Sequence, residues 1–238
     1  GGHAQRLPAH TSNGSSGSSG SSGSGSGSRK RVSRDAQLRL GFLSYDFNNH
    51  PTAHLVEALF SLIHAKQQQQ QQIEVSAVGA GADAVFRRVQ TIAYSYGLDD
   101  DSDYRHRIAT QAGAFRDIVM MSHQQAHDSI AGDEVDVLLD MQVHTLGNRM
   151  MIPALQPAAV QVNYLVYPGT SGTSFLHSIV ADRVVLPAEH GKHYTESVLL
   201  LPPSYQISYY DIHNTQKLQD ILETFSMASS SSSSSSSS

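Results

Sequence analysis

The chain has 238 residues, a net charge of −5, a pI near 6.2 and no cysteine. The acidic balance argues against nucleic acid as a partner, and the lack of thiols excludes a disulfide framework and thiolate chemistry. No apolar run reaches the ~18 residues that a membrane span needs, and no apolar signal region opens the chain, so a soluble intracellular protein is expected, with no membrane partner.

Three tracts carry no apolar side chains to offset the entropy of ordering them. Residues 13–28 contain only Asn, Gly and Ser, residues 67–72 are Gln, and residues 229–238 are Ser. Disordered low-complexity tails are therefore expected at 1–35 and 212–238, around one domain at 36–211 that the Gln tract interrupts. The basic patch Arg29-Lys30-Arg31 with Arg34 reads as a solvated linker end.

Within the domain, Leu38–Tyr45 is a short apolar run bounded by turn residues, the pattern of a buried strand. His50–His64 repeats apolar residues at helical spacing, with Leu55, Leu59 and Leu62 beside Val56 and Phe60, and Pro51 suits a first helical turn. Ile73–Val78 is the next candidate strand and Ala82–Gln90 a candidate helix; residues 79–91 read as domain or insertion alike. Strands are then expected at Ile92–Tyr96, Phe115–Met120, Val135–Met141, Val160–Leu165, Ile179–Val185 and Val198–Leu201. Helices are expected at Tyr104–Ala112, Gln124–Ala131 and Arg149–Leu155. Strands alternating with helices imply an α/β fold with a Rossmann-like, mainly parallel sheet flanked by helices.

Ligands of such sheets sit beyond the carboxyl ends of the strands, where three polar clusters fall. DFNNHPTAH, Asp46–His54, offers an acid, an imidazole and a hydroxyl at a helix N-terminus; Asp46 or Asn49 as a simple helix cap is the plainer reading. MQVHTLGNR, Met141–Arg149, offers His144 as a donor and Arg149 as a fork for phosphate or carboxylate, or else an ordinary loop capped by Thr145. NYLVYPGTSG, Asn163–Gly172, bends at Pro168, Gly169 and Gly172 and offers the hydroxyls of Thr170 and Ser171. It lacks the lysine and spacing of a P-loop. His50 and His54 are the only well-spaced histidine pair, without the HExxH glutamate, so no metal is expected.

These clusters, in this order, resemble the catalytic region of protein O-linked N-acetylglucosamine transferases. The strings are LRLGFLSYDFNNHPTAHL, AYSYGLDDDSDYRHRI, VDVLLDMQVHTLGNRMMIPALQPAAVQVNYLVYPGTSG and ADRVVLPAEHGKHYTESVLLLPPSYQ. The resemblance implies the N-terminal lobe of a two-lobed (GT-B) glycosyltransferase of cytoplasm and nucleus. Such enzymes pass N-acetylglucosamine from UDP-N-acetylglucosamine to Ser or Thr of proteins, with inversion and without metal or other cofactor. It places His50 and Asp46 in catalytic positions, and Thr52, Arg149, Leu165, Pro168, Gly169 and Thr170 in substrate-binding positions. Two residues depart from the pattern: Val166 stands where glycine is usual beside the sugar, and Leu146 replaces a lysine of some members.

The resemblance further implies partners that the 238 residues do not include: a C-terminal lobe with most contacts to UDP, and tetratricopeptide repeats that select acceptor proteins. The isolated lobe is accordingly expected to be inactive. Two alternatives stand beside this reading. One is a protein O-fucosyltransferase of the related branch, using GDP-fucose; the HPT string and Gly169 favour the first branch. The other is a non-catalytic remnant acting as a binding domain.

Overall fold

The computed structural model describes residues 37–73 and 89–207. Seven strands form one sheet: β1 (Leu38–Ser44), β2 (Val89–Ser95), β3 (Ala114–Asp117), β4 (Val137–Asp140), β5 (Val160–Asn163), β6 (Ser178–Ala181) and β7 (Ser197–Leu200). Their order is β3-β2-β1-β4-β5-β6-β7, and every neighbouring pair is parallel. The helices are α1 (Pro51–Ile73), α2 (Asp103–Gln111), α3 (His123–Gly132) and the single turn α4 (Met151–Ala154), with a 3₁₀ segment at Ala188–His193. The expected parallel α/β architecture is the observed one.

Successive strand residues face opposite sides of a sheet, and β1 shows what each side buries. Phe42 belongs to a core with Phe47, Ala53, Val56, Phe60 and Ile108, under α1 and α2. Leu43 belongs to a second core with Ile92, Ile118, Ala126, Ile130 and Ile152, under α3 and α4. The Phe42 and Phe60 rings meet edge-on at 5.1 Å.

Three expectations need correction. The buried stripe of α1 runs through Ala53, Val56, Phe60 and Ile63, whereas Leu62 is 49% exposed; the helix is rotated so that its aromatic residue fills the core. The helix also does not end at His64: it continues through the Gln tract to Ile73, because glutamine is a good helix former whatever its polarity. Ile73 is thus helical rather than the start of a strand. Val89 and Gln90, expected to close a helix, are strand residues paired with Leu38 and Arg39. The rest of the segments expected at Ile73–Val78 and Ala82–Gln90, like both expected tails, lies outside the described residues.

The chain builds β1, β2 and β3 outward to one side. It then returns past them to place β4 on the other flank of β1, from which β5, β6 and β7 grow outward. The direction of winding therefore reverses between β1 and β4, and connections leave the carboxyl ends of these two strands in opposite directions. That divergence opens the crevice where doubly wound sheets bind ligands.

Candidate active site

The crevice is built by the loops after β1, β4 and β5. The loop after β1 carries Asp46, buried at its carboxyl end, with its backbone N–H donating to Ser44 Oγ at 3.0 Å. Asp46 Oδ2 accepts from the Thr52 hydroxyl at 3.2 Å and from the Gln142 side-chain amide at 2.6 Å, and lies 3.4 Å from His50 Nδ1. Gln142 also donates to Ser44 Oγ at 3.2 Å, and the Thr145 hydroxyl donates to its amide oxygen. Six polar side chains from the carboxyl ends of β1 and β4 and the segments that follow them thus share one network, buried at Ser44, Asp46, Thr52 and Gln142. Buried polar groups of this kind hold a single arrangement only when all are satisfied.

His50 opens α1. Its carbonyl accepts the first helical bond, from the His54 N–H at 3.1 Å, which makes it the N-cap. Its Nδ1 accepts from the Thr52 N–H at 3.2 Å, the bond that a capping side chain makes to the second helical residue. The cap is therefore neither Asp46 nor Asn49. The imidazole remains 45% exposed toward the crevice. His54 turns away: its Nε2 meets Asn49 Oδ1 at 3.0 Å, its ring stacks on Tyr104 at 3.8 Å, and burial lowers its proton affinity. Among the described residues no three His, Asp or Glu side chains group as metal ligands.

The loop after β4 is held by Asp140, whose Oδ1 accepts from the N–H groups of Gln142 and Val143 at 2.9 and 3.2 Å. Burial raises the Asp140 carboxyl above the usual range, against the pull of these two amides. The turn forces Val143 to φ +48°, a region that branched side chains avoid. In the third loop Leu165 has φ +80°, and Val166 N–H reaches back to the Tyr164 carbonyl at 3.2 Å. This is a tight, strained three-residue turn. Both unfavourable conformations flank the same crevice, as expected where a site is preorganised.

The second and third loops join through His144, whose Nε2–H donates to the Ser171 carbonyl at 2.8 Å while its ring stands edge-on to Tyr167 at 5.3 Å. The PGTSG turn is fastened by the segment that leads into β7. Glu196 accepts from the Thr170 hydroxyl at 2.7 Å and the Ser171 N–H at 2.6 Å, and Tyr194 O–H donates to the Pro168 carbonyl at 2.8 Å. Burial works against the Glu196 charge, yet the bonds from Ser171 and Thr170 outweigh it and hold the carboxyl below its ordinary value.

Of the residues picked out in sequence, the structure brings Asp46, His50 and Thr52 into direct contact. Pro168, Gly169 and Thr170 form the turn that Ser171 ties to His144 in the loop after β4. Leu165 belongs to the core under α1, with Val166 packed against that core. Arg149 is turned toward the β3–α3 loop: its terminal nitrogens donate to the carbonyls of Ile118 and Met121 at 3.0 and 2.6 Å, and the guanidinium lies 5.8 Å from the Tyr96 ring centre. Those bonds engage two of its five donors, and Arg149 does not join the Asp46–His50 network.

Sequence reasoning missed Gln142, Ser44, Glu196 and Arg105. Arg105 is almost wholly buried and donates to the Phe47 carbonyl at 3.3 Å, Ser95 Oγ at 2.8 Å and Asp117 Oδ2 at 2.6 Å. It thereby ties the Asp46–Asn49 loop to the ends of β2 and β3. An arginine within an acidic helix start signals only a solvated face; its burial depends on how the loop after β1 and the ends of β2 and β3 come together around it.

The sequence model described as "Glycosyl transferase family 41" matches residues 26–235. The chain belongs to glycosyl transferase family 41. It is 30% identical over 194 residues to a probable UDP-N-acetylglucosamine–peptide N-acetylglucosaminyltransferase SEC of Arabidopsis thaliana, a match covering 82% of this chain and 17% of that protein. It is 29% identical over 180 residues to the UDP-N-acetylglucosamine–peptide N-acetylglucosaminyltransferase of Caenorhabditis elegans, covering 75% and 14%. It is 26% identical over 171 residues to a probable enzyme of the same description, SPINDLY of Petunia hybrida, covering 72% and 16%. Among solved structures, an O-GlcNAc transferase of Thermobaculum terrenum superposes with a TM-score of 0.59 at 20% identity, over 72% of this chain and 29% of that one. The fold is thus that of one part of a GT-B family 41 glycosyltransferase, and the chain spans about a sixth of the length of the family 41 relatives it matches.

Proposed function

We propose that this chain forms one wall of the catalytic cleft of a protein O-N-acetylglucosaminyltransferase, with UDP-N-acetylglucosamine as donor and Ser or Thr hydroxyls of proteins as acceptors. The observation that carries the reading is the Asp46–His50–Thr52–Gln142 network, placed where the sheet reverses its winding in a family 41 chain. In the reaction the acceptor oxygen bonds to the anomeric carbon as the bond from that carbon to the diphosphate breaks. The electron pair leaves with UDP, and the hydroxyl proton passes to an acceptor group. We take the displacement as inverting and metal-independent, with no cofactor beyond the sugar nucleotide, in cytoplasm and nucleus.

Attack of this kind needs positioning, a proton acceptor and stabilisation of the departing charge. The crevice supports the first through its rigid loops. Asp46 and His50 bring an acid and an imidazole to the reacting hydroxyls; Thr52 and the turn at Pro168, Gly169 and Thr170 line the substrate's path, with Leu165 behind them. Arg149 contributes by tying the loop after β3 to the loop after β4. Contacts to the diphosphate and the choice of acceptor protein are assigned to the further lobe and the repeats that the resemblance implies.

The test is transfer of radiolabelled N-acetylglucosamine to a Ser/Thr peptide by the longest natural polypeptide that contains this chain, with GDP-fucose as competitor. Incorporation is expected to fall about tenfold or more in the His50→Ala variant, at least the loss of one hydrogen bond to the reacting groups. Labelling from GDP-fucose and not from UDP-N-acetylglucosamine would assign the chain to the fucosyl branch. The 238-residue chain alone is expected to transfer nothing measurable; His50-dependent incorporation by it would overturn that part.

A further inference from the structure

The two ring nitrogens of His50 stand in different surroundings. Nδ1 receives the Thr52 backbone N–H at 3.2 Å. It also lies 3.1 Å from the Thr52 hydroxyl and 3.4 Å from Asp46 Oδ2. Nε2 has no partner among the described residues, and it belongs to a ring that is 45% exposed.

These neighbours do not weigh equally. The Thr52 hydroxyl spends its one proton on Asp46 Oδ2, so toward Nδ1 it offers only lone pairs and can leave that contact unmade at little cost. The carboxylate of Asp46 favours a proton on Nδ1, but its distance is long for a hydrogen bond. Its Oδ2 is already engaged by Gln142 at 2.6 Å. The Thr52 N–H cannot turn: it is fixed by the first turn of α1, belongs to a residue only 4% exposed, and points at Nδ1. A proton on Nδ1 would face it head-on and strip a buried backbone donor of its partner.

We infer that His50 is held with its proton on Nε2, and that it serves the cleft as a hydrogen-bond donor to a substrate oxygen rather than as the base that takes the acceptor's proton. The role follows from its place as the helix cap: capping consumes the lone pair of Nδ1, and the outward nitrogen then carries hydrogen. Gln142 is the positioning residue that makes this arrangement stable, since it occupies the carboxylate oxygen that would otherwise draw a proton onto Nδ1. The donor role rests on the reaction proposed above; the protonation pattern does not.

Ring ¹⁵N spectra of the whole chain, recorded about two pH units above the ordinary imidazole value, test the pattern without any turnover. The expected result is a pyrrole-type Nε2, a pyridine-type Nδ1, and a coupling across the hydrogen bond between Thr52 N and Nδ1, all retained in Asp46→Asn. A pyrrole-type Nδ1 in the unsubstituted chain overturns the inference. In the transfer assay, His50→Gln keeps a donor and cannot take a proton. It is expected to retain about tenfold more kcat/KM than His50→Ala, roughly what one hydrogen bond confers. A Gln variant as inactive as Ala overturns the donor role. Transfer missing from every form, unsubstituted included, counts against the proposed reaction and leaves the ring spectra to decide this inference.

Discussion

The Gln142 amide donates to the Asp46 carboxylate across 2.6 Å, between residues 96 positions apart in the chain. That single contact spans the reversal point of the sheet and joins the loops after β1 and β4. Replacing Gln142 with Leu keeps the volume and leaves a buried carboxylate without its shortest donor. The expected loss is about 1.5–3 kcal/mol, the range for hydrogen bonds to charged groups, read from the urea midpoint at unchanged slope. A Leu variant as stable as the parent would mean that water replaces the amide.

Tyr45, next to Asp46, has its carbonyl oxygen only 1.9 Å from where a Cβ on Gly97 would stand. The obstacle is backbone, so the end of β2 or the loop after β1 has to move. Gly97→Ala is expected to cost about 1–3 kcal/mol as overpacking and to lower the melting temperature by about 3–10 °C for a domain of this size. Differential scanning calorimetry checks it.

Asp140 provides a pH test. Its carboxyl is raised by burial, so the folded chain holds this proton more tightly than the unfolded chain. Ionisation therefore weakens the fold as pH rises from the ordinary aspartate value, about 3.9, through the raised one. Asp140→Asn keeps the oxygen that accepts from the Gln142 and Val143 amides and removes the charge. The variant is expected to match the parent in acid and to exceed it at neutral pH, with the gap opening over that interval. Urea unfolding across the pH range measures it.

Glu196 behaves in the reverse direction. Its folded carboxyl lies below the ordinary value, so its contribution is complete above the ordinary glutamate value near 4.3 and is lost as pH falls through the depressed one. The Ser171 amide, 2.6 Å from Glu196 Oε1, is the natural reporter. Its ¹H shift is expected to move upfield across that window, and in Glu196→Gln to sit near its acid position at every pH.

The parts of the fold that were legible in sequence were those written locally. Strands β1, β4 and β5 announce themselves as apolar runs closed by turn residues, and their alternation with helices gave the parallel sheet. Asp46, His50 and Thr52 were found because one loop and one helix start hold them all. The apolar count could not reveal that α1 runs on through Gln67–Gln72, since helix propensity and hydrophobicity part company at glutamine. Gln142 and Arg105 were invisible for a different reason: their importance arises from partners that only the folded sheet brings near. The carbonyl partners of Arg149 were hidden for the same reason, lying 31 and 28 residues upstream.

Val143 and Leu165 adopt conformations that an isolated peptide would abandon, and the surrounding structure keeps them there. A ligand arriving between these loops meets surfaces that have already lost their freedom. Its association should then carry a small penalty for ordering the protein, so that affinity responds to the fit of the ligand itself and little to loop sequence beyond the contact residues.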